Sequence, residues 1–301
     1  VKVLPRDTKR FSVPTHHFES LHAYYQSVAL EGISTIIYGG RPLDLLVENR
    51  GARTTVVFFH AALGAAVTST PVFSGRGITA DIDANIICVS DPSLHLGLEL
   101  AWFAGNSAQP LQWDLGNVLR HALTAVPSGQ HIVFFGASGG GFAAMFYSHQ
   151  FPASVAIAVN PQTDINAYTP HFVREYAQAA WDVEDIGCAP IQSNLADVNA
   201  RGFPNSVALI QNVQDGHHRD RHAARWMRAV PTGHDRLGVM VEPWGQGHVV
   251  PPATLIRSTV AGLASAEGSW APAMRELGFT VAPPSDYPAR QMRAWAAQRN
   301  A

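Results

Sequence analysis

Apolar residues in this chain gather in short β-rich runs that alternate with stretches of helical spacing. "ISTIIYGG" and "LDLLVENR" predict two opening strands joined by a tight Gly39-Gly40-Arg41-Pro42 turn. "TTVVFFHA" (54–61) and "ANIICVSDP" (84–92) predict fully buried strands, because they are continuously apolar rather than alternating. "QPLQWDLGNVLRHALTAV" repeats its apolar residues at helical intervals and predicts a crossover helix leading to the strand "HIVFF". "FAAMFYSHQF" continues as a helix that Pro152 ends, and "SVAIAVNPQ", "SVALIQNVQD" and "LGVMVEPWG" supply three further strands. Helix-like segments follow at about 253–265 and 270–277. Strands alternating with helices predict an α/β domain, with a mostly parallel sheet covered on both faces.

Composition narrows this picture without changing it. The 301 residues are 47% hydrophobic and 15% charged, with a net charge of −2. That is enough apolar material for one large core, and it gives no electrostatic reason to expect nucleic acid or an acidic membrane surface as partner. No apolar stretch is long enough for a membrane span, and the first twenty residues lack the apolar core of a secretory signal. Cys88 and Cys188 read as buried thiols rather than a disulfide framework, which leans toward the cytoplasm. The chain starts with Val, so removal of a leader or an upstream domain is compatible with it. No composition shift marks a boundary. The expected organisation is a single domain over 1–301, with an N-terminal extension (1–32), an aromatic-rich cap insertion (161–205) and a C-terminal helical tail (266–301).

The chemistry concentrates in "HIVFFGASGGGFAAMF" (131–146), where Gly136, Gly139, Gly140 and Gly141 crowd around Ser138. Gly136-Ala-Ser138-Gly-Gly140 fits G-x-S-x-G between an apolar strand and a helix. In that context a sharp turn lifts the serine hydroxyl clear of the sheet. Two other readings are a dinucleotide-phosphate loop and a plain glycine turn. The phosphate loop wants the first βα unit and an acidic strand end some twenty residues on, whereas here the next strand ends in Asn160-Pro161.

A serine hydroxyl needs a base, and the base needs an orienting acid. His248 lies in the glycine-flanked loop "EPWGQGHVVPP" after the last apolar strand and is the candidate base. Asp215 ends the preceding strand and is the preferred acid, ahead of Asp164 and Asp220. His218 and His222 share a helix face at i, i+4, which raises a metal site. That motif lacks the acidic residue of a zinc-hydrolase helix and any cysteine ligand, so no metal is expected. Oxyanion donors are expected from the Gly139 N–H and from the loop "FFHAALGAA", with Ala62 preferred over Ala61. His60, Trp102, Tyr168 and Trp181 are candidates for a substrate pocket.

With elbow, oxyanion loop, acid and histidine in this order, residues 33 to 265 resemble the α/β-hydrolase superfamily. The resemblance implies an eight-stranded, mostly parallel sheet, a Ser138–His248–Asp215 triad and no metal or organic cofactor. "SDPSLHLGLELAWFAGN" and "QNVQDGHH" are also similar to accessory secretion-system proteins implicated in O-acetylating glycans, a hint toward carbohydrate-linked esters. The expectation is a serine esterase or acyl hydrolase acting on a small or carbohydrate-linked ester. Two alternatives are an acyltransferase with a sugar or alcohol acceptor and a non-catalytic binding module on the same fold.

Overall fold

A computed structural model describes residues 3–299. The strands are β1 (Thr15–Phe18), β2 (Gly32–Tyr38), β3 (Arg41–Glu48), β4 (Thr54–Phe59), β5 (Asn85–Ser90), β6 (His131–Ala137), β7 (Val155–Val159), β8 (Ser206–Asn212), β9 (Leu237–Glu242) and β10 (Thr280–Val281). They form one sheet in the order β1-β2-β3-β5-β4-β6-β7-β8-β9-β10. Strands β5, β4, β6, β7, β8 and β9 run parallel; β2–β3, β3–β5 and β9–β10 pair antiparallel. All eight strands expected from the apolar runs are present. The sheet has ten strands among the described residues rather than eight, because each terminal segment adds a short edge strand. β1 reads Thr-His-His-Phe and β10 has two residues, so neither carries an apolar run.

The helices are α1 (Leu21–Gln26), α2 (Leu111–Leu123), α3 (Gly139–Ser148), α4 (Pro170–Tyr176), α5 (Leu195–Asn199), α6 (Ala224–Ala229), α7 (Ala253–Ser265), α8 (Trp270–Glu276) and α9 (Tyr287–Arg299). Period-two alternation in β4 sends Val57 and Phe59 to one face of the sheet and Val56 and Phe58 to the other. The first face packs on α2 through Leu111, Leu115, Val118, Leu119 and Ala122, and on α3, whose ten residues are all buried. The second packs on Val260 and Leu263 of α7 and on Trp270 and Met274 of α8.

The 161–205 segment is bound into the body. Its Ile165, Tyr176, Ala180, Ile186 and Leu195 belong to the same buried cluster as α2 and α3. The Tyr176 hydroxyl donates to Gly105 O at 2.8 Å. The N-terminal segment is fastened by Arg6, which pairs with buried Asp44 at 2.5 Å and donates to Thr35 Oγ1 at 2.6 Å. Parallel register brings the ends of β4, β6, β7, β8 and β9 to one edge: Phe59 faces Gly136, Ala137 faces Val159, Val159 faces Ile210 and Asn212 faces Glu242. Every candidate for chemistry hangs from that edge.

Candidate active site

Ser138 joins β6 to α3 with φ 55° and ψ −118°, a sparsely populated conformation for a residue with a side chain. Such a residue costs on the order of 1–3 kcal/mol and persists only where its surroundings hold it. The glycines supply the hold. A Cβ at Gly136 would lie 1.9 Å from Gly140 O, and one at Gly140 would lie 2.6 Å from both Phe59 O and His60 O. Strand β6, helix α3 and the end of β4 therefore touch backbone to backbone. The left-handed residue is the serine; its glycine neighbours are there for close approach. Gly139 opens α3, so its N–H has no partner within the helix.

Across from it, the Leu63 N–H is taken by Glu99 O at 2.8 Å, while the Ala61 and Ala62 N–H groups make no hydrogen bond among the described residues. His60 is buried, and both its ring nitrogens are used. Nε2 accepts from the Asp91 N–H at 3.1 Å, which leaves Nδ1 to donate to Ala61 O at 2.8 Å. Burial pushes this imidazole down to about 4, so it stays neutral and braces the loop.

On the far side of Ser138, His248 Nδ1 donates to Asp215 Oδ2 at 2.6 Å. Asp215 is 2% exposed, whereas the His248 side chain is 40% exposed. Burial by itself would raise the Asp215 carboxyl. Contacts with His218 and His248 outweigh it and hold the group well below the usual carboxylate range. The His218 N–H donates to Asp215 Oδ1 at 3.1 Å. Its ring Nδ1 lies 2.9 Å from Oδ2 without meeting hydrogen-bond geometry, and burial pushes this imidazole down, toward its neutral form. The His218 ring stacks on His248 with centroids 3.9 Å apart and planes 16° apart.

The His248 loop is pinned from β8. Asn212 Nδ2 donates to Gly245 O at 2.8 Å and Gly247 O at 2.9 Å, and Gln214 Oε1 accepts from the Gly245 N–H at 3.1 Å. Asn160, at the end of β7, donates to Val249 O at 3.0 Å. The runner-up acids are occupied elsewhere: Asp164 caps a turn through the Asn166 N–H at 3.0 Å, and Asp220 pairs with Arg219 at 2.7 Å.

Asp215 and His248 are thus joined, but no hydrogen bond joins His248 to Ser138. The Ser138 hydroxyl oxygen accepts from Gln162 Nε2 at 2.9 Å, and Gln162 Oε1 accepts from the Trp102 indole N–H. Gln162 stands two residues beyond Asn160, in the "NPQT" stretch, and single-sequence reasoning gave it no role. Trp102 is buried, its indole bonded to Gln162, and it does not line the opening beside His248. Tyr168 contacts Trp102, His217, His218 and His222 at ring-centroid distances of 5.7–6.3 Å, and it lines an opening of about 420 Å³ beside His248 with Thr169, Gln214, His217 and Gln246. Trp181 is not among the residues lining that opening and packs on the buried cluster.

As for metals, Asp215, His218 and His248 each bring a ligand atom within 4.8 Å of the others among the described residues. Their geometry suits a proton network better than an ion. An imidazole binds metal in its ring plane, and two rings stacked 3.9 Å apart and nearly parallel do not aim at one point. The i, i+4 pair His218 and His222 sits on a π-helical turn (His218–Ala223), with His222 Nδ1 accepting from the Thr163 N–H at 3.3 Å.

No protein-family model matches the sequence, and comparison with curated proteins finds no match. Solved structures do match. An S-formylglutathione hydrolase from Agrobacterium tumefaciens aligns with a TM-score of 0.50 at 12% identity, covering 82% of this chain and 94% of that one. The HSL-homolog EstE7 from a metagenome library aligns at 0.46 and 15% identity over 82% of this chain and 90% of that one. The capsule O-acetyltransferase of Neisseria meningitidis serogroup A aligns at 0.49 and 11% identity, covering 70% and 88%. The strand order and the first of these similarities identify the fold as that of the α/β-hydrolases. No helix among the described residues is long and apolar enough to cross a membrane.

Proposed function

We propose that the protein is a serine-dependent acyl hydrolase that works through an acyl-enzyme on Ser138. The observation that carries this reading is the 2.6 Å bond from His248 to a buried, ionised Asp215, hung from the same sheet edge as a serine held in a strained elbow. Asp215 fixes the His248 tautomer with Nδ1 protonated and leaves Nε2 as the base. Nε2 takes the Ser138 proton as Oγ bonds to the ester carbonyl carbon. The N–H groups of Gly139 and Ala62 hold the oxyanion, and the departing alkoxide takes the proton from His248. Water then repeats the sequence to free the acid.

The second reading keeps the first half-reaction and replaces water with an alcohol. Room for such an alcohol is offered by the opening of about 420 Å³ beside His248, a space that the leaving alcohol of an ester uses equally in the first reading. Its lining combines Tyr168, Thr169, Gln214 and Gln246 with Asp215 and three histidines and holds no lysine or arginine, a polar surface that suits a hydroxylated acceptor such as a sugar. Turnover of p-nitrophenyl acetate, with and without a sugar acceptor, tests both readings. Release of free acetate alone supports the hydrolase and acetylated sugar supports the transferase. Absence of any Ser138-dependent turnover of this ester, with folded protein, leaves a binding module.

A further inference from the structure

Among the described residues the hydroxyl of Ser138 has one side-chain partner, and it is not a base. Gln162 is 0% exposed and is held against the serine twice: its backbone N–H donates to Ser138 O at 3.1 Å, and its Nε2 donates to Ser138 Oγ at 2.9 Å. The orientation of that amide is dictated by chemistry. An indole N–H can only donate, so the Gln162 atom facing Trp102 must be Oε1 and the atom facing Ser138 must be the NH₂. Ser138 Oγ is thereby the acceptor, and its own proton is left to point elsewhere.

The Trp102 side of this arrangement is itself built at a cost. Trp102 and Phe103 both have φ of 54°, a left-handed conformation unfavourable for bulky residues. Two clamps hold them there: the buried carboxylate of Asp91 accepts from the Phe103 N–H at 2.7 Å, and the buried Tyr147 hydroxyl donates to Phe103 O at 2.7 Å. Strain of this kind, held by buried polar partners and ending on the serine oxygen, points to function.

We propose that Gln162 is a catalytic residue whose amide, locked by Trp102, donates to Ser138 Oγ, directs the serine proton to His248 and stabilises the negative charge that grows on Oγ. The inference rests on Ser138 being the nucleophile. In the step concerned, the Oγ–H bond breaks and the proton passes to His248 Nε2. Oγ bonds to the carbonyl carbon while the carbonyl π pair moves onto its oxygen. Gln162 neither gains nor loses a proton.

The test is the second-order rate at which a fluorophosphonate labels Ser138; the probe loses fluoride on attack and needs no knowledge of the natural substrate. Gln162→Met keeps the volume but cannot donate and lowers the rate about tenfold, the scale of one hydrogen bond. Gln162→Glu keeps the shape but presents an acceptor that holds the Ser138 proton. It lowers the rate about a hundredfold at pH 8. Its residual rate falls as pH rises through ionisation of the new carboxyl, whereas the wild-type rate rises. A packing role alone would not produce that inversion.

Trp102→Phe leaves Gln162 in place but frees its amide to turn; it lowers the rate about fivefold and decides the matter if the Gln162 variants do not fold. Wild-type protein that takes no label overturns the nucleophile reading and this inference with it. Wild-type protein that labels, with folded variants labelling within twofold of it, overturns the role of Gln162 alone.

Discussion

The two halves of the candidate site are held in different ways. The Ser138 half is buried, with α3 wholly inside the core and backbone contacts so close that single glycine Cβ atoms would collide with them. The His248 half is an exposed loop containing Gly245 and Gly247, both at positive φ, and it is tethered to β8 by the side chains of Asn212 and Gln214. The serine is fixed by packing, and the histidine by a few polar bonds. That contrast accounts for the observed pairing: Asp215–His248 is formed, while Ser138 rests on Gln162. Any adjustment that brings Ser138 and His248 into contact falls more easily on the loop side, because the elbow has no room to give.

The largest effect that separates the halves is on chemistry. Ser138→Ala removes p-nitrophenyl acetate turnover and lowers the melting temperature by only a few degrees, because packing holds the elbow and the bond lost is the one from buried Gln162. Asp215→Asn lowers kcat by about 10⁴-fold, the scale set by loss of the correct histidine tautomer in such a triad. Gly140→Ala breaks the comparison from the other side. Its Cβ meets two backbone oxygens at 2.6 Å, so stability falls by about 3 kcal/mol or more on chemical denaturation. Loosening the loop has a smaller effect: Asn212→Ala, which frees Gly245 O and Gly247 O, costs about tenfold in kcat/KM with most of the secondary structure retained by circular dichroism.

The smallest effect is on acid stability. Buried His60 and His222 are pushed down from the ordinary 6.5 to about 4 and about 3. At these two sites the unfolded chain binds more protons below pH 6.5, so their contribution to stability is lost as pH falls from about 6.5 toward 3, offset in part by buried Asp91, which is pushed up to about 6. Urea midpoints between pH 7 and 4 check this, and His222→Phe flattens part of the slope.

The comparison also explains what could be read from the residues alone. Eight strands were legible because buried strands read as near-continuous apolar runs, whether parallel, as in β4 and β8, where every residue is buried, or antiparallel, as in β2 and β3. Ser138, Asp215 and His248 were legible as candidates because each follows the end of a strand with glycine nearby. Gln162, Trp102, Asn212 and Gln214 were not legible in those roles. A glutamine or asparagine beyond a strand has no pattern of its own, and its partner is set by register across the sheet and by the 102–103 backbone turn. The stacking of His218 on His248 likewise depends on a π-helical turn that the helix-like sequence "GHHRDRHAARWMR" does not announce. The one available signal was the density of amides and histidines in "QNVQDGHH", where Asn212, Gln214, Asp215 and His218 all touch the His248 loop or ring.

The central claim is that the rigid serine and the tethered histidine form one catalytic unit. Mapping a fluorophosphonate adduct by mass spectrometry in wild-type protein and in His248→Ala tests it most directly. The expected result is a single adduct on Ser138 that forms at least a hundredfold more slowly without His248. An adduct on another residue, none at all in folded wild-type protein, or equal labelling in His248→Ala would contradict it.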